Sequence, residues 1–225
     1  SERESYHLVR VLRCRTGQSV RALDGRGRIL ETELESNSGK TAALNVLSQA
    51  SASPANPQRI LAFALPKGKT TESILKGAVE LGASHLFPVL TDHVEGRPKD
   101  KPDKWNLTLQ EALKQSNNPW LPLLHPLSSL EEFIQCRWFT AENYALASLQ
   151  ENPIPYLNWL QARKNAPTPP NSLGLLIGPE GDFSQREYQL LQDRGVLPVT
   201  LGPHILRTET AALAALAVCS SFFDQ

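Results

Sequence analysis

The chain has 225 residues, 40% hydrophobic and 20% charged, so it holds one large domain or two smaller ones with a sizeable core. No apolar run approaches the ~20 residues that a membrane span needs. The 23 basic and 23 acidic side chains leave a net charge of zero, which excludes a global attraction for nucleic acid and requires a local patch for any such binding.

In chain order, the first fifty residues read as strands. Ser19–Ser36, SVRALDGRGRILETELES, is two alternating runs around Asp24-Gly25, a hairpin signal, and Lys40–Ser48 reads as a third strand. Arg3, His7, Arg10, Arg13, Arg15, Arg21, Arg26 and Arg28 stand here against Glu2, Glu4 and Asp24. That local excess is the footprint expected of an RNA-binding module; a solvated charged face is the alternative. Ala50–Gln58, ASASPANPQ, reads as a linker, and it sets the expected domains at 1–57 and 58–225.

Beyond the linker, strands alternate with helices. The strands are Arg59–Leu65, His85–Leu90, Asn143–Ser148, Leu173–Gly178 and Val196–Gly202. The helices are Thr70–Gly82, Asp103–Ser116, the second half of Glu151–Lys164, Ser184–Gly195 and Thr208–Phe223. Such alternation predicts an α/β fold with a parallel sheet covered on both faces. Between these elements, Lys67–Lys69 is a small basic spot, Glu95–Lys104 a charged, solvated loop, and Trp120 a packing anchor or a stacking partner for a base. Cys14, Cys136 and Cys219 are far apart and show no metal spacing. Reduced thiols and a cytoplasmic location are expected, with no metal. No signal peptide is visible, and the chain opens on Ser1 and lacks methionine, so its start is expected to be missing.

Two turns carry the chemistry. In IGPEGDFSQRE (Ile177–Glu187), Ser184 and Glu187 form an S-x-x-E capping box, and Phe183 and Tyr188 occupy the hydrophobic-staple positions. This fixes Gly178–Asp182 between a strand's carboxyl end and a helix start, the ligand edge of open α/β sheets. Glu180 and Asp182, with no Lys or Arg beside them, disfavour a phosphate and suit a cationic ligand. A tight turn with no ligand is the alternative. The second turn, LGPHILRTET (Leu201–Thr210), repeats the Gly-Pro device at Gly202-Pro203. Arg207 follows, then Thr208 as expected N-cap and Glu209 in the first turn of a buried Ala/Leu helix.

LLIGPEGDFSQRE followed by LGPHILRTETAALAAL resembles the RsmE-type 16S ribosomal RNA uridine N3-methyltransferases of the SPOUT superfamily. LPKGKTTES…AVELGA, KWNLTLQEALKQS and HLVRVLR with DGRG extend the resemblance over nearly the whole chain. It implies a SPOUT methyltransferase domain closed by a C-terminal deep trefoil knot, an exception to un-knotted topology, behind a small PUA-like β-barrel. It implies S-adenosylmethionine as cofactor, small-subunit ribosomal RNA as substrate and a homodimer. Carried over by position, Ile177, Gly178, Pro179, Glu180 and Gly181 form one cofactor loop. Leu201, Gly202, Ile205, Leu206 and Thr208 form the other. Arg207, Glu209 and Glu180 are the catalytic candidates, and Arg10, Arg13, Arg207 and His204 the RNA contacts. Three positions depart from the family pattern: Asp182 replaces a glycine, and His204 and Asn118 replace arginines. These departures bear on the RNA target more than on the cofactor. A SPOUT enzyme with another RNA target and a non-catalytic RNA-binding knot protein stand as alternatives.

Overall fold

The computed structural model describes residues 2–38, 41–66, 69–94, 100–149 and 152–224; Lys67 and Gly68 of the basic spot and residues 95–99 of the charged loop lie outside them. The chain divides into two units, Ser1–Pro54 and Ala55–Gln225.

The first unit opens with α1 (Glu2–Tyr6) and a π-helical turn (His7–Val11), which corrects the strand expected there. Glu2 and Glu4 occupy the first helical turn, where the helix dipole favours carboxylates. HLVRV, with apolar Leu8, Val9 and Val11, is too short to show either period. β1 (Ser19–Leu23), β2 (Arg28–Asn37) and β3 (Ala42–Ser51) then form an antiparallel sheet in that order. Asp24 closes the expected hairpin, accepting from the Arg26 N–H at 2.7 Å and the Arg28 N–H at 3.0 Å.

The second unit is a parallel sheet. Its strands are β4 (Gln58–Ala64), β5 (His85–Leu90), β6 (Leu123–Leu124), β7 (Ser128–Ser129), β8 (Tyr144–Ala147), β9 (Ile154–Pro155), β10 (Ser172–Ile177) and β11 (Leu197–Thr200). The order is β6-β5-β4-β10-β8-β11-β9, with β7 beside β5. Ile60–Leu65 and Leu173–Ile177 are buried throughout, as continuous apolar runs are in a sheet covered on both faces. The helices are α2 (Thr70–Glu80), α3 (Pro102–Ser116), α4 (Leu130–Phe133), α5 (Tyr156–Lys164), α6 (Gln185–Gln192) and α7 (Thr208–Phe223). α7 packs on α2, β4 and β10. Gly77 admits it closely: a Cβ there would run into the Leu213 side chain. On the other face, Phe87, Phe133, Tyr144, Phe183 and Tyr188 join one core. The loops after β8, β10 and β11 therefore meet at the carboxyl edge of the sheet.

Candidate functional site

β10 delivers the chain into the Gly178–Ser184 turn, and α6 takes it up. The expected capping box is formed, with the Ser184 N–H donating to Glu187 Oε2 at 2.8 Å and the Glu187 N–H donating to Ser184 Oγ at 3.2 Å. Phe183 meets Tyr188 edge-on, ring centroids 5.8 Å apart. Glu187 does more than cap. It is 1% exposed, and its Oε1 accepts the Asp92 N–H at 2.9 Å, tying the loop after β5 to the turn. Asp92 also accepts from the Ser184 hydroxyl at 2.6 Å and from Arg186 at 2.9 Å. Those partners hold its carboxyl below the usual range, the Arg186 guanidinium foremost.

Asp182 closes the turn. Its N–H donates to the Pro179 carbonyl at 2.9 Å, and its backbone is left-handed, φ 60°, a conformation that Asp tolerates better than most residues. Its Oδ1 accepts from the Phe183 N–H at 2.8 Å. The Tyr188 hydroxyl points between its two carboxylate oxygens, 2.8 Å from each, and itself accepts from the Ser148 hydroxyl at 3.1 Å. Burial pushes the Tyr188 hydroxyl up to about 12, so it keeps its proton and donates. Beside the turn, His93 Nδ1 lies 3.1 Å from the Gly181 carbonyl and 2.9 Å from that of Asp182. Both partners are acceptors, so Nδ1 carries the proton. The Asp182 carbonyl is the main cause that raises His93 above its ordinary value.

The second turn is held separately. Thr200 Oγ1 donates to the Gly202 carbonyl at 2.8 Å and accepts its N–H at 3.2 Å. Thr208 is buried, and its hydroxyl donates to the Gly178 carbonyl at 3.1 Å. Thr208 is thus not the N-cap expected of it; Arg207 holds that position without a side-chain cap, because the Thr208 hydroxyl clasps the two turns together.

A cleft of about 260 Å³ lies between the turns. It brings together Ile177, Gly178, Pro179 and Glu180 from the first, and Leu201, Gly202, His204, Ile205, Leu206 and Thr208 from the second. Gly181, Arg207 and Glu209 do not line it; Arg207 is exposed between two lining neighbours, and Glu209 is half-buried. The described lining residues include Glu180 and Asp182 and no lysine or arginine. Sequence reasoning missed the third wall, which includes Ser148, Leu149 and Pro153 after β8, because a four-residue strand ending in no motif gives no signal. Asn118, where the family pattern has an arginine, donates to the Val79 carbonyl at 2.8 Å and accepts the Trp120 N–H at 2.9 Å, fixing the end of α3 on α2. Trp120 is half-buried. In the first unit, Arg10 and Arg13 are exposed, as are Arg21 and Arg28, which pair with Glu31 and Asp24.

Comparison with known proteins gives two matches to family models: an RNA methyltransferase PUA domain over residues 1–47 and an RNA methyltransferase domain over residues 54–220. A ribosomal RNA small subunit methyltransferase E from Synechocystis is 32% identical over 97% of this chain and 71% of its own length. A Legionella pneumophila protein described as a methyltransferase, solved with bound S-adenosylmethionine, is 25% identical with a TM-score of 0.84 over 99% of this chain and 90% of its own. A ribosomal RNA small subunit methyltransferase E from Neisseria gonorrhoeae, also solved with S-adenosylmethionine, shares the fold at a TM-score of 0.85, 24% identical over 99% and 91% of the two chains.

Proposed function

The chain belongs to the RNA methyltransferase family that includes the ribosomal RNA small subunit methyltransferases E, and from that premise we propose that it transfers a methyl group from S-adenosylmethionine to N3 of a uridine in 16S ribosomal RNA. The observation that carries this reading is the cleft at the carboxyl edge of the sheet, built from the two turns that Thr208 clasps. The residues present fit that cofactor. Two carboxylates and no described basic side chain but His204 line the cleft, an environment suited to a molecule carrying a sulfonium and an ammonium group. Apolar side chains such as Ile177, Val199 and Leu206 suit its adenosine.

Gly178–Glu180 and Leu201–Leu206 would hold the cofactor through their backbone groups, with Thr208 keeping the turns in register. When bound, it supplies an electrophilic methyl group that needs no activation by the protein. The chain's own work is alignment and stabilising the negative charge that grows on the uracil carbonyls as N3 loses its proton. Arg207 is the donor for that charge, since it stands exposed beside the cleft rather than in it. Glu180 or Glu209 takes the proton or orients the base. His204 and Arg207, with Arg10 and Arg13 of the first unit, contact the RNA.

The proposal extends to architecture: a PUA-like barrel over 1–57, a SPOUT domain with its trefoil knot over 58–225, and a homodimer acting in the cytoplasm. Among the described residues, no helix is long and apolar enough to cross a membrane. A second reading, another RNA position, is favoured by Asn118 and His204, since arginine is the stronger phosphate contact. Mapping modified uridines in ribosomal RNA from cells with and without the protein separates the two: loss of one 3-methyluridine from 16S RNA is expected, and an unchanged map overturns the assignment. Arg207→Ala should lower methylation about 100-fold or more while leaving S-adenosylmethionine binding within about two-fold; full activity removes Arg207 from the mechanism.

A further inference from the structure

We propose that Asp182 makes this cleft prefer the charged methyl donor over its neutral thioether product, S-adenosylhomocysteine, an inference that rests on the cofactor reading above. Asp182 lines the cleft from a left-handed position, φ 60°. Glycine would adopt that conformation without steric cost, so local geometry does not call for a side chain there. The side chain is nonetheless held from two directions. The Phe183 N–H and the Tyr188 hydroxyl each donate to it at 2.8 Å, and Ser148, on the opposite wall, donates to Tyr188. A carboxylate accepts about four hydrogen bonds, so these leave acceptor capacity on Asp182.

Charge then decides what Asp182 favours. Methyl transfer turns the sulfonium into a thioether, so donor and product differ by one positive charge and one methyl group. A fixed carboxylate attracts the donor more than the product. For two unit charges about 8 Å apart, an effective dielectric between about 20 and 80 gives a difference of about two- to thirty-fold in affinity. Glu180 shares the sign but is exposed on the turn, where water screens it more strongly. No lysine or arginine among the described lining residues offsets either one. The same preference speeds product release, because the attraction disappears with the charge.

Isothermal titration of the full chain with S-adenosylmethionine and, separately, S-adenosylhomocysteine tests this at low salt. Asp182→Asn keeps an acceptor for Tyr188 and removes the charge; Asp182→Gly removes both and relaxes the backbone. Both variants should bind S-adenosylmethionine about ten-fold more weakly, with S-adenosylhomocysteine changed less than about two-fold. Equal weakening of the two ligands would mean that Asp182 shapes the turn instead, and overturns the inference. A wild-type chain that binds both while the variants keep its preference overturns this inference alone. A wild-type chain that binds neither ligand overturns the cofactor reading and this inference together.

Discussion

Glu187 is where a helix cap, a loop tether and the Gly178–Ser184 turn depend on one side chain. Its two carboxylate oxygens accept two different backbone N–H groups, those of Asp92 and Ser184, at 2.9 and 2.8 Å, and the side chain is buried. Hydrogen bonds to a charged acceptor contribute about 1.5–3 kcal/mol each, and a buried donor left without a partner loses its hydration as well. Glu187→Ala removes both acceptors and should cost about 3–5 kcal/mol. Glu187→Gln keeps one oxygen but turns an NH₂ group toward the other N–H, so it should cost about 1.5–3 kcal/mol. Urea unfolding followed by tryptophan fluorescence measures this cleanly. All four tryptophans, Trp105, Trp120, Trp138 and Trp159, lie in the second unit, so the signal reports that unit and not a mixture of two transitions. A loss under about 0.5 kcal/mol in both variants, within the range of an ordinary surface substitution, would refute the tether.

Thr208→Val removes the hydroxyl that holds Gly178 while keeping the buried shape. It should lower stability by about 1–2 kcal/mol and weaken S-adenosylmethionine binding by titration, whereas Thr208→Ser restores both. Acid should weaken the second unit through the imidazoles of His85 and His125, whose Nδ1 and Nε2 lie 3.1 Å apart. Burial is the main cause that lowers both, His125 to about 4 from the usual 6.5. Between those values the unfolded chain binds a proton that the folded chain refuses, so stability is present above about pH 6.5 and declines toward pH 4. His125→Phe preserves the stack on Phe87 and should narrow the gap between urea midpoints at pH 7 and pH 5; an unchanged gap removes the pair as the cause.

What the sequence made legible followed from locality. The Ser184–Glu187 box and the Phe183–Tyr188 staple lie within six residues of one another, and both formed as expected. The long helices and apolar strands were legible because burial repeats along them at a fixed period. Residues 2–11 were misread because so short a run, with apolar Leu8, Val9 and Val11, fits neither strict alternation nor a full helical face. Thr208 was misread for the opposite reason: its hydroxyl is a good cap by local rules, yet Gly178, thirty residues away, takes it. Ser148, His93 and Asp92 were invisible because each reaches the site only when the parallel sheet aligns the ends of β5, β8 and β10.

These through-space contacts share one consequence for what the site can hold. The turns are fixed by donors aimed at their own carbonyls and carboxylates: Thr208 on Gly178, Thr200 on Gly202, His93 on Gly181 and Asp182, and Tyr188 on Asp182. These four donors are thereby committed to holding the turns, while Glu180 and Asp182 keep acceptor capacity. A phosphate needs unspent donors and positive charge, and the described lining of the cleft holds no lysine or arginine to supply them. A ligand bearing positive charge and its own N–H groups meets acceptors already in place. The network that makes the turns rigid therefore also sets the charge of what they bind, so removing a tether such as Glu187 should disturb cofactor affinity as well as stability.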